Sequence, residues 1–258
     1  MAARPAGSRR TMVLRASPQM TRYLDPVLLW TVAATATSRI RLNASTLSTF
    51  YYEPVHLARL LTTLGVLSEG RQDVGVGIGW MKDEHDTARS ADWHRRGRQL
   101  DDLLVFLHEW WTTTPVSWES EFFLLPPVHA DLRPVQPGGP PIWIGGVSEA
   151  AMRRVGRSGT GWLGVEGLQD KVTDQLWSIA RRAAKAAGRD PDELKTAVRV
   201  NLEPGTSLDS LSTGSNASLG PVPTRRSWMP SQCSPPWTRR LISPVRSSVD
   251  GIDRDARR

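Results

Sequence analysis

The feature that most restricts this chain is a regular exchange between two periodicities. From residue 24 to residue 202, stretches with apolar residues at helical spacing alternate with short apolar runs rich in Val, Ile and Gly. A helix of a dozen residues between strands is long enough for a crossover and too long for a hairpin, so the strands are expected to run parallel. DPVLLWTVAATATS reads as a helix, with Asp25 as N-cap and Pro26 in the first turn. RIRLNAST (39–46) is the first expected strand, PVHLARLLTTLGVLS (54–68) the next helix and DVGVGIG (73–79) the next strand. A long helix is expected over 92–111, a hairpin or extended insertion over 115–125, and a Pro/Gly-rich connection over 126–141. PIWIGG (141–146) reads as a strand, 148–157 as a helix, GWLGV (161–165) as a strand and 168–187 as a helix. GRDPDEL offers a further helix start at Asp190, and KTAVRVNL (195–202) is the fifth strand. Parallel strands with intervening helices make the fold class α/β, either a (β/α) barrel or an open doubly wound sheet.

Charge narrows the partners. The net charge of +7 suggests a nucleic-acid binder, but residues 1–25 hold five Arg against one Asp, and residues 203–258 hold eight Arg against five acids. Residues 26–202 carry 20 basic and 20 acidic residues, so the expected folded body is neutral and offers no basic groove. Residues 1–22 are expected to form a disordered basic arm. Residues 203–258, with eleven Ser, seven Pro and only nine Leu, Ile or Val, are expected to form a disordered tail. The folded domain is then 23–202. A single cysteine, Cys233, fits a reducing cytoplasm, and no run approaches the length of a membrane span. The five histidines lack the short regular spacing of metal ligands, so no metal site is expected.

Chemistry concentrates where PIWIGG stops at two glycines and Ser148 follows. Gly145 and Gly146 let backbone N–H groups approach a ligand without an intervening Cβ. The next helix begins near Ser148, so its unpaired N–H groups and positive dipole end face the same point. That combination suits a phosphate; the plain alternative is a tight turn with Ser148 as an ordinary N-cap. Gly75, Gly77 and Gly79 fall on one face of their strand, which leaves room for a flat ring or reflects crowding by neighbouring backbone.

YLDPVLLWTVAATATSRIRLNAS, EPVHLARLLTTLGVLSEGRQDVGVGIGW, RRGRQLDDLLVFLHEWWTTTPVSWESEFF and VQPGGPPIWIGGVSEAAMRRVGRSGTGW together resemble the luciferase-like monooxygenase family, in particular its F420-dependent branch. The resemblance implies a TIM (β/α)8 barrel with F420 or FMN at the carboxyl ends of the strands. It further implies a small organic substrate, transfer of a hydride or of one oxygen atom, and a homodimer. It makes Gly145, Gly146, Val147 and Ser148 the phosphate cradle, Gly77 and Gly79 the clearing for the ring, and Ala44, Ser45 and Thr46 its support. Where sugar-phosphate dehydrogenases of the superfamily carry a catalytic glutamate this chain has Trp80, which suits stacking on ring or substrate, or capping of the barrel mouth. His85 follows the same strand and is the other candidate at the barrel top. The family's first two strands would precede Tyr23 and its eighth would follow Leu202, where no such pattern stands. The chain is therefore expected to be an incomplete barrel with about five recognisable strands, truncated or frameshifted at both ends. A catalytically inactive remnant is the alternative to a working enzyme.

Overall fold

The computed structural model describes residues 24–88 and 92–199. The expectations of a disordered arm and tail, and of strand residues beyond 199, lie outside the described residues.

Five strands form one parallel sheet: β1 (Leu47–Ser48), β2 (Val74–Gly77), β5 (Ile142–Gly145), β6 (Gly161–Val165) and β7 (Lys195–Arg199), adjacent in that order. Neighbours in the sheet follow the order of the chain without reversal, which is the barrel winding and not the doubly wound one. The two remaining strands, β3 (Val116–Glu119) and β4 (Leu124–Val128), make a separate antiparallel hairpin. Among the described residues there are six α-helices, α1 (Pro26–Ala36), α2 (Pro54–Leu67), α3 (Lys82–Thr87), α4 (Arg96–Thr112), α5 (Glu149–Ser158) and α6 (Asp170–Ala186), and three 3-10 turns.

Register assigns the two faces of the sheet. Val76, Ile144, Trp162 and Thr196 are level across β2, β5, β6 and β7, and the first three are buried among the helices. Their alternates Trp143, Leu163 and Ala197 form a separate small cluster on the concave face. Helices therefore cover one face, as in an arc of a barrel wall. α5 and α6 pack so closely that a Cβ on Gly156 would stand 2.3 Å from the Ala180 carbonyl oxygen. α5 is tied to α4 by Arg154, which is 5 % exposed and grips Asp101 through Nε at 2.7 Å and Nη2 at 3.0 Å.

Side-chain caps open α1, α5 and two 3-10 turns, whereas α2, α3, α4 and α6 start without one. The Asp25 carboxylate accepts from the Leu28 N–H at 2.9 Å and Pro26 opens α1. Asp190 likewise accepts from the Asp192 N–H at 2.8 Å, but only a 3-10 turn at Pro191–Glu193 follows, because Lys195 already belongs to β7. The strand expected over 39–46 is replaced by a lone bridge from Leu42 to Gln72, and pairing with β2 resumes only at Leu47. The intervening residues press against β2 instead of extending beside it: a Cβ on Gly75 would stand 1.8 Å from the Ala44 carbonyl oxygen and 2.5 Å from Asn43 Oδ1.

Candidate active site

All five strands point their carboxyl ends the same way, and the turns after β2 and β5 stand at that edge of the sheet together with Arg199 at the end of β7. The turn after β5 carries out its local program. Gly146 adopts φ 133°, a conformation that favours glycine, and its carbonyl accepts from Trp162 Nε1 at 2.8 Å. Ser148 caps α5: its Oγ accepts from the Ala151 N–H at 3.2 Å and its carbonyl from the Met152 N–H at 3.0 Å. The five preceding amides, Gly146 to Ala150, are in exposed residues, and no turn, loop or cap hydrogen bond among the described residues uses them as donors. The only carboxylate of this first turn, Glu149, is drawn along the helix by Arg153 Nη2 at 2.8 Å. The result is an open group of N–H donors at the positive end of a ten-residue helix.

Beside this turn stands Thr46, after a cis Ser45–Thr46 peptide. A Cβ on Gly77 would stand 2.6 Å from Thr46 Oγ1, and one on Gly145 would stand 2.6 Å from Thr46 Cγ2. The clearing expected of Gly77 for a ring is thus occupied by this chain's own threonine: the two glycines let Thr46 reach over the sheet. Gly79 lies past the end of β2 with φ 71°, and the space before it holds the Phe50 ring, 2.2 Å from where a Cβ would be. Alternation along a strand does not extend to it. Ala44 faces Gly75, and Ser45 turns its carbonyl to Arg199 Nη1 at 3.0 Å. The Thr46 hydroxyl makes no hydrogen bond among the described residues and Thr46 is exposed, so it is free to meet a ligand on this surface.

Trp80 is 65 % exposed directly after β2 and available for stacking. His85, the other candidate at the barrel top, is 2 % exposed. Its ring lies edge-on to Phe50 and Trp93 at centroid distances of 5.1 and 5.3 Å; neither nitrogen makes a hydrogen bond among the described residues, and Nδ1 is turned toward Asp86 Oδ1 at 3.7 Å. Aromatic packing on α3 has withdrawn it from the mouth, and an imidazole so enclosed presents no nitrogen to a substrate. Among the described residues no group of His, Cys, Asp and Glu is placed to hold a metal. Arg199 was not singled out from sequence, although alternation from Ala197 already puts it on the concave face.

An arc of singly wound parallel sheet with helices on its outer face defines a (β/α) barrel class, and comparison with known proteins gives the family. Residues 11–209 match the luciferase-like monooxygenases, and the chain belongs to that family. An uncharacterised protein of Mycobacterium tuberculosis is 32 % identical over 169 residues, covering 66 % of this chain and 59 % of its own length. The F420-dependent glucose-6-phosphate dehydrogenase of Nocardia farcinica is 30 % identical over 181 residues, 68 % of this chain and 53 % of its own. Among solved structures, the monooxygenase RslO1 of Streptomyces bottropensis superposes with TM-score 0.61 at 27 % identity, covering 70 % of this chain and 56 % of that one. The F420-dependent tetrahydromethanopterin reductase of Methanopyrus kandleri shares the fold, with TM-score 0.62 at 20 % identity over 69 % of this chain and 54 % of its own. The chain spans about half the length of the curated dehydrogenases it matches.

Proposed function

We propose that this protein is an oxidoreductase that binds F420 or FMN and acts on a small organic substrate. The observation that carries the reading is the open set of amides from Gly146 to Ala150, which lack internal acceptors among the described residues and lie at the helix end that favours an anion. The arrangement fits the phosphate of either cofactor. When bound, such a ring supplies the redox chemistry, hydride transfer for the deazaflavin and oxygen activation for the flavin.

The protein's own residues bind and orient. The amides of Gly146, Val147 and Ser148 hold the phosphate, and Ala44, Ser45 and Thr46 give the ring a floor. Thr46 offers a hydroxyl without a partner among the described residues, and Gly77 and Gly145 contribute by making space for Thr46. Exposed Trp80 shields the ring or substrate from water by stacking. The similarity to F420-dependent glucose-6-phosphate dehydrogenases favours the deazaflavin, whereas RslO1, a monooxygenase, keeps the flavin in view. With one cysteine, the chain is proposed to work in the reducing cytoplasm.

A homodimer belongs to the same proposal. α1 contains no charged residue, and Leu24, Leu28 and Val32, spaced by four, are 62 %, 69 % and 36 % exposed along one side. Such a stripe is suited to meet its own copy across a two-fold axis. Among the described residues no helix is long and apolar enough to cross a membrane.

Titration of the full chain with FMN, riboflavin and F420, followed by cofactor fluorescence, tests the cofactor reading. FMN is expected to bind at least about tenfold more tightly than riboflavin, which lacks the phosphate, as one charge-assisted hydrogen-bond set is worth about 1.5–3 kcal/mol. Equal affinity for the two, or no saturable binding of FMN or F420 at high micromolar concentration, refutes it.

A further inference from the structure

Arg199 ends β7 two residues beyond Ala197, with its side chain on the concave face. Its Nη1 donates to the Ser45 carbonyl at 3.0 Å across 154 residues of sequence, and its Nε is buried without a partner. It forms no ion pair among the described residues. Four other part-buried arginines also form no ion pair among the described residues, and each has a compensating partner that Arg199 lacks. Arg96 donates to the Trp93 carbonyl and lies 3.5 Å over the Trp93 ring, whose face attracts a cation. Arg189 donates to the Val155, Gly156 and Gly159 carbonyls at the end of α5. Arg71 reaches the Ala34 and Ile40 carbonyls at the end of α1, and Arg133 the Trp110 and Thr113 carbonyls at the end of α4. A helix carboxyl end carries partial negative charge and compensates a cation. Arg199 faces no such end. A part-buried guanidinium with one neutral acceptor has lost hydration without gaining a counter-charge, and that state is costly until an anion arrives.

We propose that Arg199 recognises an anionic group, a carboxylate or a phosphate, on a molecule that enters the concave face, with the Ser45 carbonyl aiming the guanidinium. A planar fork of N–H donors matches either oxyanion in two-point fashion. Arg199 stands two strands from Gly145, roughly 10 Å along the sheet at ordinary strand spacing, so it is a second anion position and not part of the Gly146–Ala150 turn. The inference rests on reading the concave face as the binding face; it does not depend on which cofactor is used.

Phenylglyoxal modification of the full chain, with Arg199 followed by peptide mass spectrometry, tests this at a single residue. In chloride buffer Arg199 is expected to react. Inorganic phosphate at equal ionic strength is expected to slow that reaction about fivefold by mass action once it exceeds its dissociation constant. Exposed Arg59 on α2 serves as the internal control, expected to react equally in both buffers. Repeating the reaction with FMN and with riboflavin separates the sources. Protection by phosphate but by neither flavin assigns the anion to the substrate, whereas protection by FMN and not riboflavin assigns it to the cofactor arm. An Arg199 that reacts at the same rate in phosphate and chloride, or does not react at all, overturns the proposal. Because the phosphate arm contains no cofactor, failure to bind FMN or F420 counts against the proposed function alone.

Discussion

Replacing Gly145 by Ala probes the one contact on which the geometry of the mouth turns. The new Cβ would stand 2.6 Å from Thr46 Cγ2, while its next neighbours, the Val76 carbonyl oxygen and Thr46 Cβ, lie at 3.6 and 3.7 Å. Carbon atoms rest at about 3.5–4.0 Å, so only the Thr46 methyl is in the way. Overpacking of this kind costs about 1–3 kcal/mol. Gly145 is not among the positive-φ residues, so Ala also gains about 0.4–1 kcal/mol by restricting the unfolded chain. The net expectation for Gly145→Ala is a loss of about 1–2 kcal/mol, combining those two terms. Thr46→Ser removes the obstructing methyl and keeps the hydroxyl, so the double variant should recover most of that loss. Gly77→Ala supplies the contrast, because its Cβ meets Thr46 Oγ1 at 2.6 Å, and Thr46→Ser leaves that atom in place. Urea unfolding followed by tryptophan fluorescence measures the three single variants and the two double variants, Gly145→Ala with Thr46→Ser and Gly77→Ala with Thr46→Ser. A coupling of about 1 kcal/mol or more for the 145–46 pair, and little for the 77–46 pair, is expected. Additivity of Gly145→Ala and Thr46→Ser to within about 0.3–0.5 kcal/mol would show that Thr46 does not lie over Gly145.

Three further outcomes are expected. Ser148→Ala removes the acceptor of the Ala151 N–H and should cost about 1 kcal/mol of stability in the same urea assay, whereas Ser148→Asn should retain most of the cap. Leu28→Glu places a charge in the exposed stripe of α1 and should convert a dimer to a monomer in sedimentation velocity without lowering the melting temperature of the monomer; a wild-type chain that sediments as a monomer refutes the dimer. The hydrogen bond from Lys82 holds the Asp86 carboxyl below its ordinary range, with lesser help from charge and from His85. Because the folded value is depressed, the contribution of this pair to α3 is present at neutral pH and is lost as pH falls through the folded value. Lys82→Gln should raise the Asp86 midpoint in an NMR titration, and an unchanged midpoint would refute the pairing.

Much of the architecture was written locally. Asp25-Pro26 and Ser148 started the helices expected of them, since a cap is satisfied within three residues of itself. The period-two run of Trp143 and Ile144 and the helical spacing in α5 and α6 were visible for the same reason, and so was the pair of glycines that frees the amides after β5. Where local chemistry and tertiary pairing disagreed, pairing prevailed. Residues 39–46 have strand composition, yet they fold against Gly75, Gly77 and Gly145, whose missing side chains leave a trough that the chain itself fills. Alternating glycines carry no record of what occupies the space they leave.

The amino-acid sequence alone determined the order of elements, their parallel direction, the membership of the family and the glycine turn capped by Ser148 after β5. Each depends on contacts within one helix turn, on one crossover or on short-range periodicity. Only the tertiary structure decided that Thr46 stands over Gly77 and Gly145, that His85 is enclosed by Phe50 and Trp93, and that Arg199 crosses to Ser45. Those contacts join residues far apart in the chain, and their geometry follows from the curvature and register of the sheet, which no short window of residues encodes.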